Sequence, residues 1–136
     1  MLGAHFVVAA PKSYAMKRDI VTLAKKMAAQ SGGFITEVEN PRIAAKGAVV
    51  VYTDTWVSMG AEPERKQRLK IFRSYRVTER LMSLAKKDAI FMHDLPAYRG
   101  NEVDGAVIDG PQSVVFQQAE NRLHVQKALM LHLLKS

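Results

Sequence analysis

Two loops in this sequence hold side chains that could do chemistry. Ala89-Ile90-Phe91-Met92 runs straight into His93-Asp94-Leu95-Pro96-Ala97-Tyr98-Arg99-Gly100, so an imidazole, a carboxylate and a guanidinium follow one apolar run. Earlier, Ala48-Val49-Val50-Val51-Tyr52-Thr53 breaks into Asp54-Thr55-Trp56-Val57-Ser58-Met59-Gly60, which adds a carboxylate and two hydroxyls. A carboxylate such as Asp54 can pair with a substrate ammonium or cap its own turn, and spacing alone favours the turn. His93 taken alone reads as a satisfied histidine near a sheet edge. Arg122, near a helix start, is either a surface residue or a planar fork of donors suited to a phosphate or a polarised carbonyl. Trp56 reads as packing and Arg99 as a structural ion-pair partner.

The elements that must position these groups follow from the pattern around them. Each apolar run is too short for a helix and does not alternate, which fits a strand covered on both faces in a parallel sheet. Ligands of open α/β sheets bind beyond the carboxyl ends of the strands, so both loops belong on one edge, where chemistry is usually done. Taken in order, the chain gives a strand at His5–Ala10, a helix from Lys17 to Gln30 ended by Ser31-Gly32-Gly33, and a short strand at Phe34–Val38. Asn40-Pro41 supplies an N-cap and a first-turn proline for a brief helix that Gly47 closes. Helices are expected from about Glu62 to Tyr75, from Glu79 to Lys87 with Thr78 as cap, and from about Gln117 to Leu134. The apolar residues of the last one (Leu123, Val125, Leu129, Met130, Leu133, Leu134) predict that it covers the sheet. Strands separated by helices imply an α/β fold, a doubly wound parallel sheet with helices on both faces and right-handed crossovers.

Composition narrows the function classes. The chain has 136 residues, 48% apolar and 24% charged, which is one soluble domain (residues 1–136) with one core. It has no cysteine, so disulfides and thiolate metal sites are excluded and a reducing cytoplasm is the natural home. No targeting segment or membrane-spanning run is legible. The net charge of +7 raises nucleic-acid binding as a competing class. Against it, Arg65, Lys66, Arg68, Lys70, Arg73, Arg76 and Arg80 share their stretch with Leu69, Ile71, Phe72 and Tyr75 at helix-like spacing, without a stacking platform. That is a solvated helix face, and its field would also draw an anionic substrate.

Thr53-Asp54-Thr55-Trp56-Val57-Ser58-Met59-Gly60, His93-Asp94-Leu95-Pro96 and Glu120-Asn121-Arg122 occur in the order of three marks of the ornithine carbamoyltransferases, the middle one altered. The likeness runs from about Gly3 to Leu134 and resembles the C-terminal, ornithine-binding domain of that family. It implies a Rossmann-like fold and transfer of the carbamoyl group of carbamoyl phosphate to the δ-amine of ornithine. The reaction passes through a tetrahedral intermediate, releases phosphate and needs no metal or organic cofactor. By resemblance Asp54, Ser58 and Met59 hold the α-amino and carboxylate ends of ornithine. His93 helps polarise the carbamoyl carbonyl, the Leu95 main-chain carbonyl receives the carbamoyl nitrogen, and Arg122 contacts carbamoyl phosphate.

Two departures from the family pattern carry expectations of their own. Asp94 stands where the family has a cysteine beside the attacking amine. A carboxylate there could accept a proton, but it would also favour the charged ammonium by about one to three pKa units and deplete the attacking free amine about tenfold to a thousandfold. The family's preceding domain, with its Ser-x-Arg-Thr-Arg cradle and His-Pro-x-Gln loop, has no counterpart here, and by resemblance the sheet lacks its first strand. Three readings therefore stand: the amino-acid-binding half of an ornithine carbamoyltransferase, inactive alone; a carbamoyltransferase for a related amine, favoured by Asp94; and a non-catalytic binding or assembly module. The expected partners are ornithine, carbamoyl phosphate only with a first domain, and other copies of the chain through an open edge near His5–Ala10, with neither nucleic acid nor membrane.

Overall fold

A computed structural model describes residues 3–135. Four short parallel strands alternate with helices: β1 (His5–Ala9), α1 (Arg18–Gln30), β2 (Phe34–Val38), α2 (Pro41–Ala45), β3 (Val50–Tyr52), α3 (Arg65–Phe72), α4 (Glu79–Met82), β4 (Ile90–Met92), α5 (Gly105–Ile108) and α6 (Val115–Lys135). This is the expected α/β order. α5 has no counterpart in the sequence reading, because four residues are too few to show a helical period. Local signals act where they were read. Asn40 Oδ1 accepts the Arg42 N–H at 3.0 Å with Pro41 in the first turn, and Gly47 leaves α2 at φ +70°, a conformation open to a residue without Cβ. Thr78 Oγ1 likewise accepts the Leu81 N–H at 3.1 Å.

The strands form two separate parallel pairs. β1 lies beside β2 with His5 opposite Phe34 and Ala9 opposite Val38, and β3 lies beside β4 with Val50 opposite Ile90 and Tyr52 opposite Met92. A further strand position flanks β4, where the Phe91 N–H donates to the Gln112 carbonyl at 2.8 Å and the Val114 N–H to the Phe91 carbonyl at 3.0 Å. Among the described residues no ladder joins β1 to β3. The open edge of β1 therefore runs along a groove between the pairs, not along an outer rim.

The core belongs to the β3–β4 half. Val51, Val77, Met82, Phe91, Val103, Val107, Ile108 and Val115 pack together, whereas α1 buries only Val21 and Ala28. Burying Phe91 completely contributes about 2 to 3 kcal/mol, and truncating it to alanine would cost about 3 to 5 kcal/mol.

Two helices depart from expectation. The one expected over Glu79–Lys87 stops at Met82, because the following turn is claimed by tertiary bonds: the Gly47 N–H donates to the Leu84 carbonyl at 2.8 Å and the Lys86 N–H to the Ala48 carbonyl at 2.9 Å. The helix expected to cover the sheet does so only at its first turn. Val115 is buried, but Leu123, Val125, Leu129, Met130 and Leu134 are all more than half exposed. Their apolar stripe points away from the strands. Among the described residues no helix is long and apolar enough to cross a membrane.

Candidate functional site

The two loops read from sequence meet at the carboxyl ends of β3 and β4. The Thr53 N–H donates to the Met92 carbonyl at 3.3 Å, the last rung of that ladder, and both chains then turn outward side by side. One ligating atom from each of Asp54, His93 and Asp94 falls within 4.8 Å of the others. Asp54 and Asp94 are exposed, while His93 is fully buried. Asp54 also serves its own turn, since its Oδ1 accepts the Thr55 N–H at 2.6 Å. Both readings of this residue are thus compatible, because a carboxylate has more than one acceptor site.

The first loop is fastened from below. Trp56 is buried and stacks on Phe72 with ring centroids 5.8 Å apart. Arg68 donates to the Trp56 carbonyl at 3.2 Å and to Glu64 at 2.8 Å, and its guanidinium lies 5.2 Å from the centre of the Tyr14 ring. Arg76, from the same basic stretch, donates to the Asn101 carbonyl at 2.8 Å. Two of the seven basic residues are therefore structural, and the other five are exposed.

The second loop is built around His93. Its backbone N–H donates to Gln118 Oε1 at 3.0 Å, and its Nδ1 accepts the Leu95 N–H at 2.9 Å. An acceptor Nδ1 carries no proton, so the neutral ring bears its proton on Nε2. That atom lies 3.4 Å from Oε1 of Glu102, an acid only 1% exposed, at ion-pair distance but outside hydrogen-bond geometry. The same oxygen accepts the Tyr98 N–H at 2.5 Å. Glu102 thus supports the ring and the loop together.

Leu95 stands at φ +58°, a left-handed conformation that costs a branched residue on the order of 1 kcal/mol, and the peptide bond to Pro96 is cis. The loop closes at Gly100, at φ +84°, whose N–H donates to the Val103 carbonyl at 2.8 Å. Arg99 forms a two-pronged pair with Asp109 at 2.8 and 2.6 Å, as its reading as an ion-pair partner anticipates. The hydrogen bond from Arg99 holds the Asp109 carboxyl below its ordinary range, and Asp109 in turn raises Arg99.

Two carboxylates beside an imidazole attract a cation, and the donor set favours an ammonium over a metal ion. The His93 Nδ1 lone pair is committed to the Leu95 N–H, so a metal would have to break that bond, whereas an amine needs only acceptors. Among the remaining expected residues, Leu95 lies in the same loop, Ser58 and Met59 lie outward along the first loop with Met59 97% exposed, and Arg122 lies exposed on α6. The structure gathers Asp54, His93, Asp94 and Leu95, and leaves Ser58, Met59 and Arg122 standing in solvent. Glu102, Gln118 and Tyr52 escaped the sequence reading. Gln118 Nε2 reaches the Tyr52 hydroxyl at 3.4 Å and so ties the start of α6 to both strand ends. Their roles depend on separations of 9 to 66 residues, which no local pattern reports.

Comparison with known proteins agrees with this geometry. Residues 1–133 match the family model described as aspartate/ornithine carbamoyltransferase, Asp/Orn binding domain. The ornithine carbamoyltransferase of Caldicellulosiruptor saccharolyticus is 57% identical over 130 residues, covering 96% of this chain and 42% of the relative. Among solved structures, the Pyrococcus furiosus ornithine carbamoyltransferase superposes with a TM-score of 0.88 at 50% identity, covering 93% of this chain and 41% of the other. The anabolic enzyme of Campylobacter jejuni gives 0.91 at 42% identity, covering 96% and 43%. The chain therefore spans less than half the length of these relatives. With the family model matching nearly every residue and the strand-end loops in place, the chain belongs to the aspartate/ornithine carbamoyltransferase family, in the part that forms the Asp/Orn-binding domain.

Proposed function

We propose that this chain is the amino-acid-binding half of an ornithine carbamoyltransferase, with ornithine as its ligand and no turnover on its own. The observation that carries the reading is the convergence of Asp54, His93 and Asp94 at one strand edge in a chain matched throughout by the Asp/Orn-binding domain. Asp54 takes the α-ammonium, with Ser58 and Met59 closing over the amino-acid end once ligand draws their loop inward. Asp94 and the Leu95 carbonyl face the δ-amine and the carbamoyl group. His93, held in one tautomer by the Leu95 N–H, donates toward the polarised carbonyl from Nε2, which makes no hydrogen bond in this state.

Carbamoyl phosphate is held only when a first domain supplies phosphate donors, since Arg122 alone cannot fix a dianion in attack geometry. In a complete enzyme the δ-amine attacks the carbamoyl carbon, phosphate leaves, and citrulline forms as a step of arginine metabolism in the cytoplasm. The exposed stripe of α6 and the open strand edges make self-association the expected state of the chain alone.

Titration of the 136-residue chain with ornithine, followed by backbone amide resonances, tests the binding claim. Saturable shifts in the Asp54–Gly60 and His93–Gly100 loops that weaken about tenfold in Asp54→Asn support it, the loss expected for one charge-assisted contact. Equal binding by Asp54→Asn contradicts it. Asp94 favours a second reading, a carbamoyltransferase for a related amine. A panel of ornithine, lysine and simple diamines in the same titration distinguishes the two by which amine saturates at the lowest concentration.

A further inference from the structure

Four arginines gather around one concavity. Pro41 opens α2 and sets Arg42 in its first turn, the turn after α3 carries Arg73, Arg76 follows that turn, and the Thr78 cap sets Arg80 in the first turn of α4. All four line a groove of about 270 Å³ between α2 and α4, and no aspartate or glutamate lines it with them. The walls of the groove are fastened from outside. The Tyr75 hydroxyl donates to the Glu39 carbonyl at 2.6 Å and ties the Arg73 turn to the entry of α2, while Arg76 Nε donates to the Asn101 carbonyl at 2.8 Å. Among the described residues only Arg76 of the four has an acidic partner, Asp104 at 3.5 Å, and Arg42, Arg73 and Arg80 are exposed. A single exposed arginine is ordinarily a solvated charge. Four around one groove repel one another, and an anion seated among them reverses the sign of that energy.

We propose that this groove binds a small anion of two linked phosphates, of the pyrophosphate class, either free or as part of a nucleoside diphosphate. A guanidinium always carries its charge and presents a planar fork of donors that matches a pair of phosphate oxygens. Hydroxyls complete the donor set. Ser74 lines the groove, and Thr78 Oγ1, which accepts the Leu81 N–H at 3.1 Å, keeps its own hydrogen to donate. Size selects among anions: the groove has the volume of about nine waters at about 30 Å³ each, room for two joined phosphates and more than one phosphate fills. Pro41, Leu81 and Leu84 add an apolar wall, which suits a nucleoside. None of Asp54, His93, Asp94 and Arg122 lines this groove. The anion site is therefore separate from the candidate amino-acid site and stands whichever amine that site takes.

The test is calorimetric titration of the 136-residue chain with pyrophosphate, ADP, orthophosphate and citrate at about 50 mM salt, with backbone amide resonances locating the site. Two double variants remove the same charge in different places. Arg73→Gln with Arg80→Gln strips the groove, and Arg65→Gln with Lys66→Gln strips exposed positions that do not line it. All four positions are exposed, so both variants keep the fold, which an unchanged unfolding midpoint verifies. Pyrophosphate should saturate one site, shift the amides of Ser74, Arg76 and Asn101, and bind at least about tenfold tighter than orthophosphate or citrate. The groove variant should bind it at least about tenfold more weakly, and the control variant within about twofold of the parent. ADP that binds tighter than pyrophosphate assigns the apolar wall to a nucleoside, and equal binding makes the two phosphates alone the ligand; either supports the proposal. Equal weakening by the two variants would show only a diffuse basic field and overturn it. So would citrate or orthophosphate binding as well as pyrophosphate, shifts centred on Arg122, or no response at about millimolar pyrophosphate.

Discussion

On the proposed reading, Asp94 is the residue on which the chemistry would turn. A carboxylate beside an attacking amine raises the amine's pKa and withdraws the free base, so Asp94→Cys in a chain completed with a matching first domain should raise the rate with ornithine at pH 7 by about tenfold and move the optimum downward. A pH–rate profile of both forms measures this, and a slower cysteine form at every pH would make Asp94 an adapted base. Glu102 contributes by position: it holds the Tyr98 N–H and faces His93 Nε2 from a buried site. Glu102→Ala should destabilise the fold by about 2 to 4 kcal/mol in a chemical unfolding curve, while Glu102→Gln, which keeps an acceptor for Tyr98, should restore much of the stability. Asp109 gives a pH dependence whose sign is fixed. Its carboxyl is held low by Arg99, so the pair's contribution is present above about pH 4 and is lost as pH falls through the depressed pKa. Asp109→Asn should therefore lower stability slightly above about pH 4, match the parent once the carboxyl is protonated, and so flatten the acid limb of an unfolding curve. At this scale Asp54, His93 and Asp94 were legible because each follows directly on a strand. The tautomer of His93 was not, because it depends on the turn that brings the Leu95 N–H back onto Nδ1.

The elements were legible wherever their signals are local. Phe34–Val38 and the Asn40 cap stand as read, since alternation, a side-chain cap and a first-turn proline act within a few residues. Two readings failed for a shared reason: partners distant in sequence decided the outcome. α4 ends early because Leu84 and Lys86 bond to the segment after α2, and α6 projects its apolar stripe outward because only its first turn meets β4. An amphipathic stripe shows that a helix has something to cover, but not what. Replacing Leu129 and Met130, each more than half exposed, with glutamate should leave the unfolding midpoint within about 0.5 kcal/mol of the parent while lowering the apparent mass in sedimentation at high concentration. A marked loss of stability would mean that the stripe is buried within the single chain.

On the scale of the whole molecule, the chain is two parallel pairs around an open groove, with its core concentrated in one of them. Sequence order gave the α/β class, since strands alternating with helices leave few other arrangements. It could not show that the pairs stay apart, because pairing is a relation between strands and not a property of any one. On the proposed reading the site edge is an ornithine platform that gains turnover only with the groups that hold carbamoyl phosphate. The direct measurement is citrulline formation by the purified chain alone and by the chain joined to the portion of the Caldicellulosiruptor saccharolyticus enzyme that it does not span. No turnover is expected from the chain alone, measurable turnover when joined, and a loss of about a hundredfold or more in the joined Asp54→Asn variant. Turnover by the isolated chain, or a folded joined protein that makes no citrulline at any pH, would contradict that reading.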